Sequence, residues 1–161
     1  MNDISGVWRL LAWRRISDDG SITYPLGESV EGVLVYTPQG TMAVHMASAN
    51  RPNIDSADPL GGDAAQRAAA YSSCLAYFGS YQVRGNEVIH NIASSLYPNW
   101  SGTNAARPFE ISGDELVLRT PPAPDGSETV VNEMRWARLG GWDKAVDGTS
   151  GRSATPIGDP S

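Results

Sequence analysis

Hydrophobic and polar positions alternate with a period of two along most of this chain, which is the spacing that puts every second side chain on one face of a strand. "GVWRLLAWRRIS" at residues 6–17 mixes β-formers and long side chains in near alternation and stops at the turn signal "DDGS". "VEGVLVYTPQGTMAVHMAS" reads as two strands about Thr37-Pro38-Gln39-Gly40, with Pro second and Gly fourth as a tight turn prefers. "FGSYQVRGNEVIHNIASS" repeats the plan about Arg84-Gly85-Asn86, where Gly and Asn tolerate the positive φ of a hairpin. "RPFEISGDELVLRT" does so again about Ser112-Gly113-Asp114, and "TVVNEMRWARL" follows the Pro-rich link "PPAPDGSE". About eight strands in sequence, most joined by short turns, predict an all-β fold: an antiparallel up-and-down barrel.

One stretch breaks the rhythm. "GGDAAQRAAAYSSCLAYFG" is Ala-rich, opens with Asp63 as N-cap and closes at Gly79, so one α-helix is expected between strands three and four, lying over a barrel end as lid or plug. The polar loop before it, "ASANRPNIDSADPLGG", has the length and composition of a binding-site rim. From Gly140 onward the chain is rich in Gly, Ser, Pro and Asp without period. The expected organisation is therefore one domain over residues 1–139 and a flexible tail over 140–161, with Trp142 as its only anchor.

Composition narrows what such a barrel does. A chain of 161 residues suits one core. No window approaches the ~18 apolar residues of a membrane helix, and "MNDISGVWRLL" lacks the basic-then-apolar plan of a secretory signal. With one cysteine, Cys74, no intrachain disulfide forms, and a cytoplasmic location is expected. Cys74 has no His or basic neighbour close in sequence and reads as a buried structural thiol. A net charge of −6 without a Lys/Arg run argues against nucleic acid. Two histidines, His45 and His90, and one cysteine match no compact metal spacing, so no metal is expected. Neither a phosphate loop nor a nucleophile elbow is present, and no cofactor is expected.

Gly6-Val7-Trp8 opens the first strand and Trp136-Ala137-Arg138 ends the last. The pair resembles the lipocalin signature, in which an Arg from near the final strand covers the Trp of the first; a guanidinium over an indole is a cation–π contact where the sheet closes. "GVLVYTPQGTMAVHM", "AYFGSYQV", "VIHNIASSLYPNWSG", "RPFEISGDELVL" and "MRWARL" further resemble successive blocks of the bacterial and fungal lipocalin-like domain family, over about residues 4 to 139. The resemblance implies a β-barrel around a small-molecule cavity, with secondary metabolism as its expected setting. It does not imply one activity, because related barrels include carriers and cofactor-free enzymes.

An eight-stranded barrel can hold one small ligand. Alternation puts His90, Ile92 and Ser94 on one face, and the family block favours that face as inward. His90 then reads either as a hydrogen-bonded core residue or as a general acid or base, since an ordinary imidazole titrates near ~6.5. Met42, Val44 and Met46 form an adaptable apolar wall if they face inward, which turns His45 outward. Tyr36, Tyr77 and Tyr81 are candidate phenol contacts, with Tyr77 placed at the helix end as a lid residue. Arg107 alternates with Phe109 and Ile111, so an inward guanidinium would clamp a carboxylate or polarise an enolate. Glu133 lies opposite the Met134, Trp136 and Arg138 face and reads as outer and structural. Trp100, in the Pro98-Asn99-Trp100 turn, either caps a ligand by stacking or staples the loop. Catalytic roles fall to His90, Tyr81 and Arg107, and ligand contacts to Tyr36, Met42, Val44, Met46, Tyr77, Ile92, Ser94, Trp100, Phe109 and Met134.

The expected function is binding of a small, largely apolar organic molecule bearing a carbonyl or hydroxyl group. A cofactor-independent isomerase, cyclase or dehydratase is the first expectation and a non-catalytic carrier the alternative. The expected partner is that small molecule, with neither nucleic acid nor membrane; a homo-oligomer is compatible with the chain.

Overall fold

In the computed structural model, which describes residues 3–140, ten strands form one antiparallel sheet: β1 (Gly6–Ser17), β2 (Ile22–Thr23), β3 (Val30–Tyr36), β4 (Thr41–Ser48), β5 (Cys74–Arg84), β6 (Glu87–Ser95), β7 (Asn104–Ser112), β8 (Glu115–Arg119), β9 (Ala123–Asp125) and β10 (Glu128–Leu139). Eight of them run in the order β1-β3-β4-β5-β6-β7-β8-β10, and β10 pairs back onto β1, closing a barrel. The short β2 and β9 extend β1 and β10 at the rim. The turns follow the sequence: Gly40 N–H donates to the Thr37 carbonyl, and Gly85 and Gly113 take the positive φ that their hairpins need.

Alternation sets which face is core. Along β4, Met42, Val44 and Met46 are buried while Thr41, Ala43 and His45 are exposed. Where β1 meets β10, Trp8 is fully buried, its indole N–H donates to the Ile4 carbonyl, and the Arg138 guanidinium lies 4.1 Å above the ring centroid. Arg138 also donates to the carbonyls of Ser5 and Asp3, so one side chain ties the N-terminal segment across the seam. This end of the barrel is closed.

The helix differs from expectation in place and length. α1 (Ala64–Ser72) follows β4 and so lies between the fourth and fifth strands, because Ile22–Thr23 pairs with β1 as a strand of its own. Asp63 caps it, as read from sequence, and the Gln66 side chain accepts from the Asp63 backbone N–H in return, completing a capping box. It ends at Ser72 rather than Gly79, because Cys74-Leu75-Ala76-Tyr77-Phe78 pairs with β4 as the start of β5. No residue of α1 is buried, so the helix does not plug the barrel.

A second departure lies on β6. Its register against β5 slips between Phe78 and Gly79, so that Gly79 faces Ile92 and Phe78 faces Ser94, leaving Ala93 as the extra residue of a bulge. At position 79 a Cβ would collide with the Asn91 carbonyl oxygen, so glycine is what allows the bulge to nestle there. Beyond it the alternation is reversed, and Ser94 is exposed instead of sharing the inward face of His90 and Ile92. Beyond its first residue, Gly140, the expected tail with Trp142 lies outside the described residues.

Candidate functional site

At the end opposite the Trp8–Arg138 closure, a cavity of about 670 Å³ enters the barrel. Its wall is largely apolar, with Met46, Leu75, Ile92 and Met134 flanked by the indoles of Trp13 and Trp100. Such a volume and lining suit one drug-sized organic molecule. Trp100 comes from the short 3₁₀ turn Pro98–Trp100, and its ring meets those of Tyr77 and Tyr97 edge-on.

Two polar side chains reach the cavity from its inner part, Tyr77 of β5 and Arg107 of β7. Behind Tyr77 lies His90, only 1% exposed, with both ring nitrogens engaged: Nε2 is 2.6 Å from the Tyr36 hydroxyl and Nδ1 is 3.0 Å from that of Tyr77. Satisfaction of this buried row assigns its polarity. Tyr36 is itself buried with His90 as its hydrogen-bond partner, so its O–H donates to Nε2. Nδ1–H then donates to the Tyr77 oxygen, which leaves the Tyr77 hydrogen for the cavity.

The electrostatics agree with a neutral row. Burial, helped by the positive charge of Arg107, depresses the His90 pKa from its ordinary 6.5 to about 3. Burial likewise raises the phenols of Tyr36, well above its ordinary value, and of Tyr77, against which Arg107 pulls by charge and hydrogen bonding. Arg107 is 7% exposed; its Nη1 donates to the Ala106 carbonyl and its Nε has no partner. It makes no ion pair among the described residues.

Of the residues singled out from sequence, Met46, Tyr77, Ile92, Trp100, Arg107 and Met134 come together on the cavity wall. Tyr77 reaches it from β5 and not from a helix end. His90 and Tyr36 stand behind Tyr77, while Met42, Val44 and Phe109 are buried in the hydrophobic core and are not part of the wall. Tyr81 packs on Tyr36 with ring centroids 4.6 Å apart and donates to the Thr37 carbonyl, away from the cavity. Ser94 faces outward, because of the bulge.

Sequence reasoning missed Trp13, Leu75, Thr103, Asn104 and Asn132, which also line the cavity. Trp13 was legible in principle: it lies on β1 in register with Met134, and its indole N–H donates to Asn132 Oδ1. Leu75 was hidden by its assignment to the helix.

Outside the barrel, Glu133 is buried at 6% exposure and bonded to both Arg14 and Arg119, which supports its reading as an outer, structural charge. Burial works to raise its pKa, but the two guanidinium groups outweigh that and hold it low. Cys74 is half-buried rather than buried, and its Sγ lies 3.4 Å from His45 Nε2 because β4 and β5 pair side by side. Partial burial raises the thiol's pKa, against the weaker pull of Arg51, so the thiol is not activated. Among the described residues no three His, Cys, Asp or Glu gather as a metal site, and no helix is long and apolar enough to cross a membrane.

Comparison with known proteins places this geometry. A family model described as a lipocalin-like domain matches residues 5–139. The 4'-hydroxy-3'-methoxypropiophenone carrier protein ppsC of Aspergillus oryzae is 32% identical over 87 residues, covering 49% of this chain and 78% of that protein. A crystal structure of a mutant of the fluorescent protein UnaG aligns over 84% of this chain and 95% of that one, with 14% identity and a TM-score of 0.38. The family match spans almost every described residue, from before the first strand to the end of the last, and the chain belongs to the lipocalin-like domain family.

Proposed function

We propose that the protein is a carrier: it holds one small, largely apolar organic molecule in the barrel, with a carbonyl or hydroxyl oxygen of the ligand at Tyr77 and Arg107. The observation that carries this reading is the cavity of about 670 Å³, whose apolar wall converges on two polar groups. The similar Aspergillus oryzae protein is named as carrier of an aryl ketone bearing hydroxyl and methoxy groups, a ligand of that description. His90 favours carriage over proton abstraction, since it stands behind the wall, neutral, with both nitrogens occupied.

One observation supports an acid/base enzyme as the second reading. The Tyr36–His90–Tyr77 row ends on a phenol hydrogen at the cavity, and Arg107 beside it would stabilise an oxyanion in an isomerase, cyclase or dehydratase. The phenol of Tyr77 would then be the acid, and His90 its positioning residue. No cofactor enters either reading.

Titration with 4'-hydroxy-3'-methoxypropiophenone, followed by tryptophan quenching and by native mass spectrometry, tests the proposal. A carrier gives a 1:1 complex from which the ligand is recovered unchanged, with Tyr77→Phe weakening it only a few-fold, about 1 kcal/mol. Conversion of the ligand, lost in Tyr77→Phe while binding persists, would replace the carrier with the enzyme. If neither this ketone nor any copurified molecule occupies the barrel, both readings fall.

A further inference from the structure

We propose that the cavity selects the ionised form of its ligand, taking an oxyanion, carboxylate or phenolate, against Arg107 and Tyr77. The inference rests on the reading of the cavity as a small-molecule site, and adds the charge of what enters.

Arg107 is the reason. Arg14, Arg15, Arg119 and Arg135 each meet a carboxylate, and Arg138 reaches Asp114 at 4.0 Å while lying over Trp8. Arg107 is more buried than any of these and pairs with none among the described residues. A guanidinium is charged at every pH of interest, and taking it out of water without a counter-ion is costly. Its Nε remains without an acceptor although it is buried. A neutral ligand oxygen can satisfy that N–H, but only an anion also neutralises the charge.

The surrounding groups point the same way. Those facing Arg107 are Tyr77 on β5, His90 on β6 and, behind them, Tyr36 on β3. None supplies a negative charge: the two phenols stay protonated and the imidazole is neutral. The polarity of the row makes Tyr77 a donor toward the cavity, so two donors converge there with no carboxylate to oppose an anion. Arg15 also lines the cavity, toward its mouth, but Asp125 holds its guanidinium at 2.6 Å. The field at the inner end is thus positive and unspent, inside a chain whose net charge is −6.

Matched probes test this by calorimetry at neutral pH: trans-cinnamate against methyl cinnamate, and 4'-hydroxyacetophenone against its methyl ether across a pH series. The carboxylate is expected to bind at least about tenfold more tightly than its ester. The phenol should gain affinity as pH rises through its own ionisation, while the ether stays flat. Arg107→Met and Arg107→Gln should abolish both differences, bringing cinnamate down to the affinity of its ester. The ester itself, which loses one neutral hydrogen bond, should weaken by no more than a few-fold, and Arg107→Lys should keep part of both differences. Ester binding in each variant also shows that the barrel has folded.

Equal binding of cinnamate and its ester by the unmodified protein would overturn the inference, as would a preference that survives Arg107→Met. Ester binding without cinnamate binding would sink the charge selection alone and spare the carrier. If no probe binds and tryptophan quenching reports no ligand of any kind, the small-molecule reading fails and this one with it.

Discussion

Arg107 and Glu133 are the two charged residues this barrel buries most completely, at 7% and 6% exposure, yet their surroundings differ in kind. Glu133 faces out from β10 and is clasped by Arg14 and Arg119. Arg107 faces in from β7 and has a backbone carbonyl and a tyrosine for company. The outer charge is compensated by the fold itself. The inner one is not, and it is there that the proposed anion would supply the missing charge.

That contrast can be broken by mutation, and the largest effect should come from Glu133. Glu133→Ala leaves two cations facing each other on a half-buried surface and should cost about 2–3 kcal/mol, somewhat below the loss of one partner from a fully buried pair. Urea unfolding measures it, and a loss below about 0.5 kcal/mol would mean the cluster is an ordinary surface network. The acid limb of stability should come next. His90 stays neutral when folded but takes up a proton near 6.5 when unfolded, so the unfolded chain binds more protons between that pH and about 3. Stability from this group is therefore full above 6.5 and declines as pH falls, by about 1 kcal/mol per pH unit. His90→Gln should flatten that slope between pH ~6.5 and ~5, where most carboxylates are still ionised; His45, present in both proteins, cancels from the difference.

Arg107→Met should act in the opposite sense to Glu133→Ala. Without ligand it should raise stability by about 1–2 kcal/mol, a Tm gain of about 3–6 °C, because it replaces an uncompensated buried cation with an apolar group of similar length. A fall in Tm would show that Arg107 is part of the scaffold and would weaken the comparison at its root. The smallest effect should come from Tyr81→Phe, which removes one hydrogen bond to Thr37 at the closed end. About 1 kcal/mol of stability should go, with ligand affinity untouched. A change in affinity would extend the site to the closed end.

Most of the fold could be read from the chain because its causes are local. Period-two alternation marked the staves, glycine-bearing turns marked the hairpins, and Trp8 with Arg138 announced the seam that their 4.1 Å contact closes. The site was legible in part for the same reason: alternation grouped Met46, Ile92, Arg107 and Met134 with their face-mates, and for Ile92 the family resemblance chose the inward face. What escaped depends on pairing between distant segments. His90 was found as an inward residue, but its two tyrosine partners belong to β3 and β5, 54 and 13 residues away, and their grip takes it out of the cavity wall. Ser94 was misplaced because alternation assumes an unbroken strand, whereas the register slips at Gly79. Tyr77 and Leu75 were obscured by extending the helix of the Ala-rich segment past Ser72, where pairing with β4 overrides propensity.

Gly79 thus governs more than its own position. The slip it permits sends β6 past Ile92 with its faces exchanged, and the chain then enters the turn that carries Trp100 to the mouth. A single added methyl at residue 79 would press on the Asn91 carbonyl and favour a straight β6, one residue out of phase with the loop that follows. The shape of the entrance is in this sense inherited from a hydrogen atom at a position that is not itself on the cavity wall. Within this architecture, variation in what the barrel admits could come from one codon on β5 without altering any wall residue.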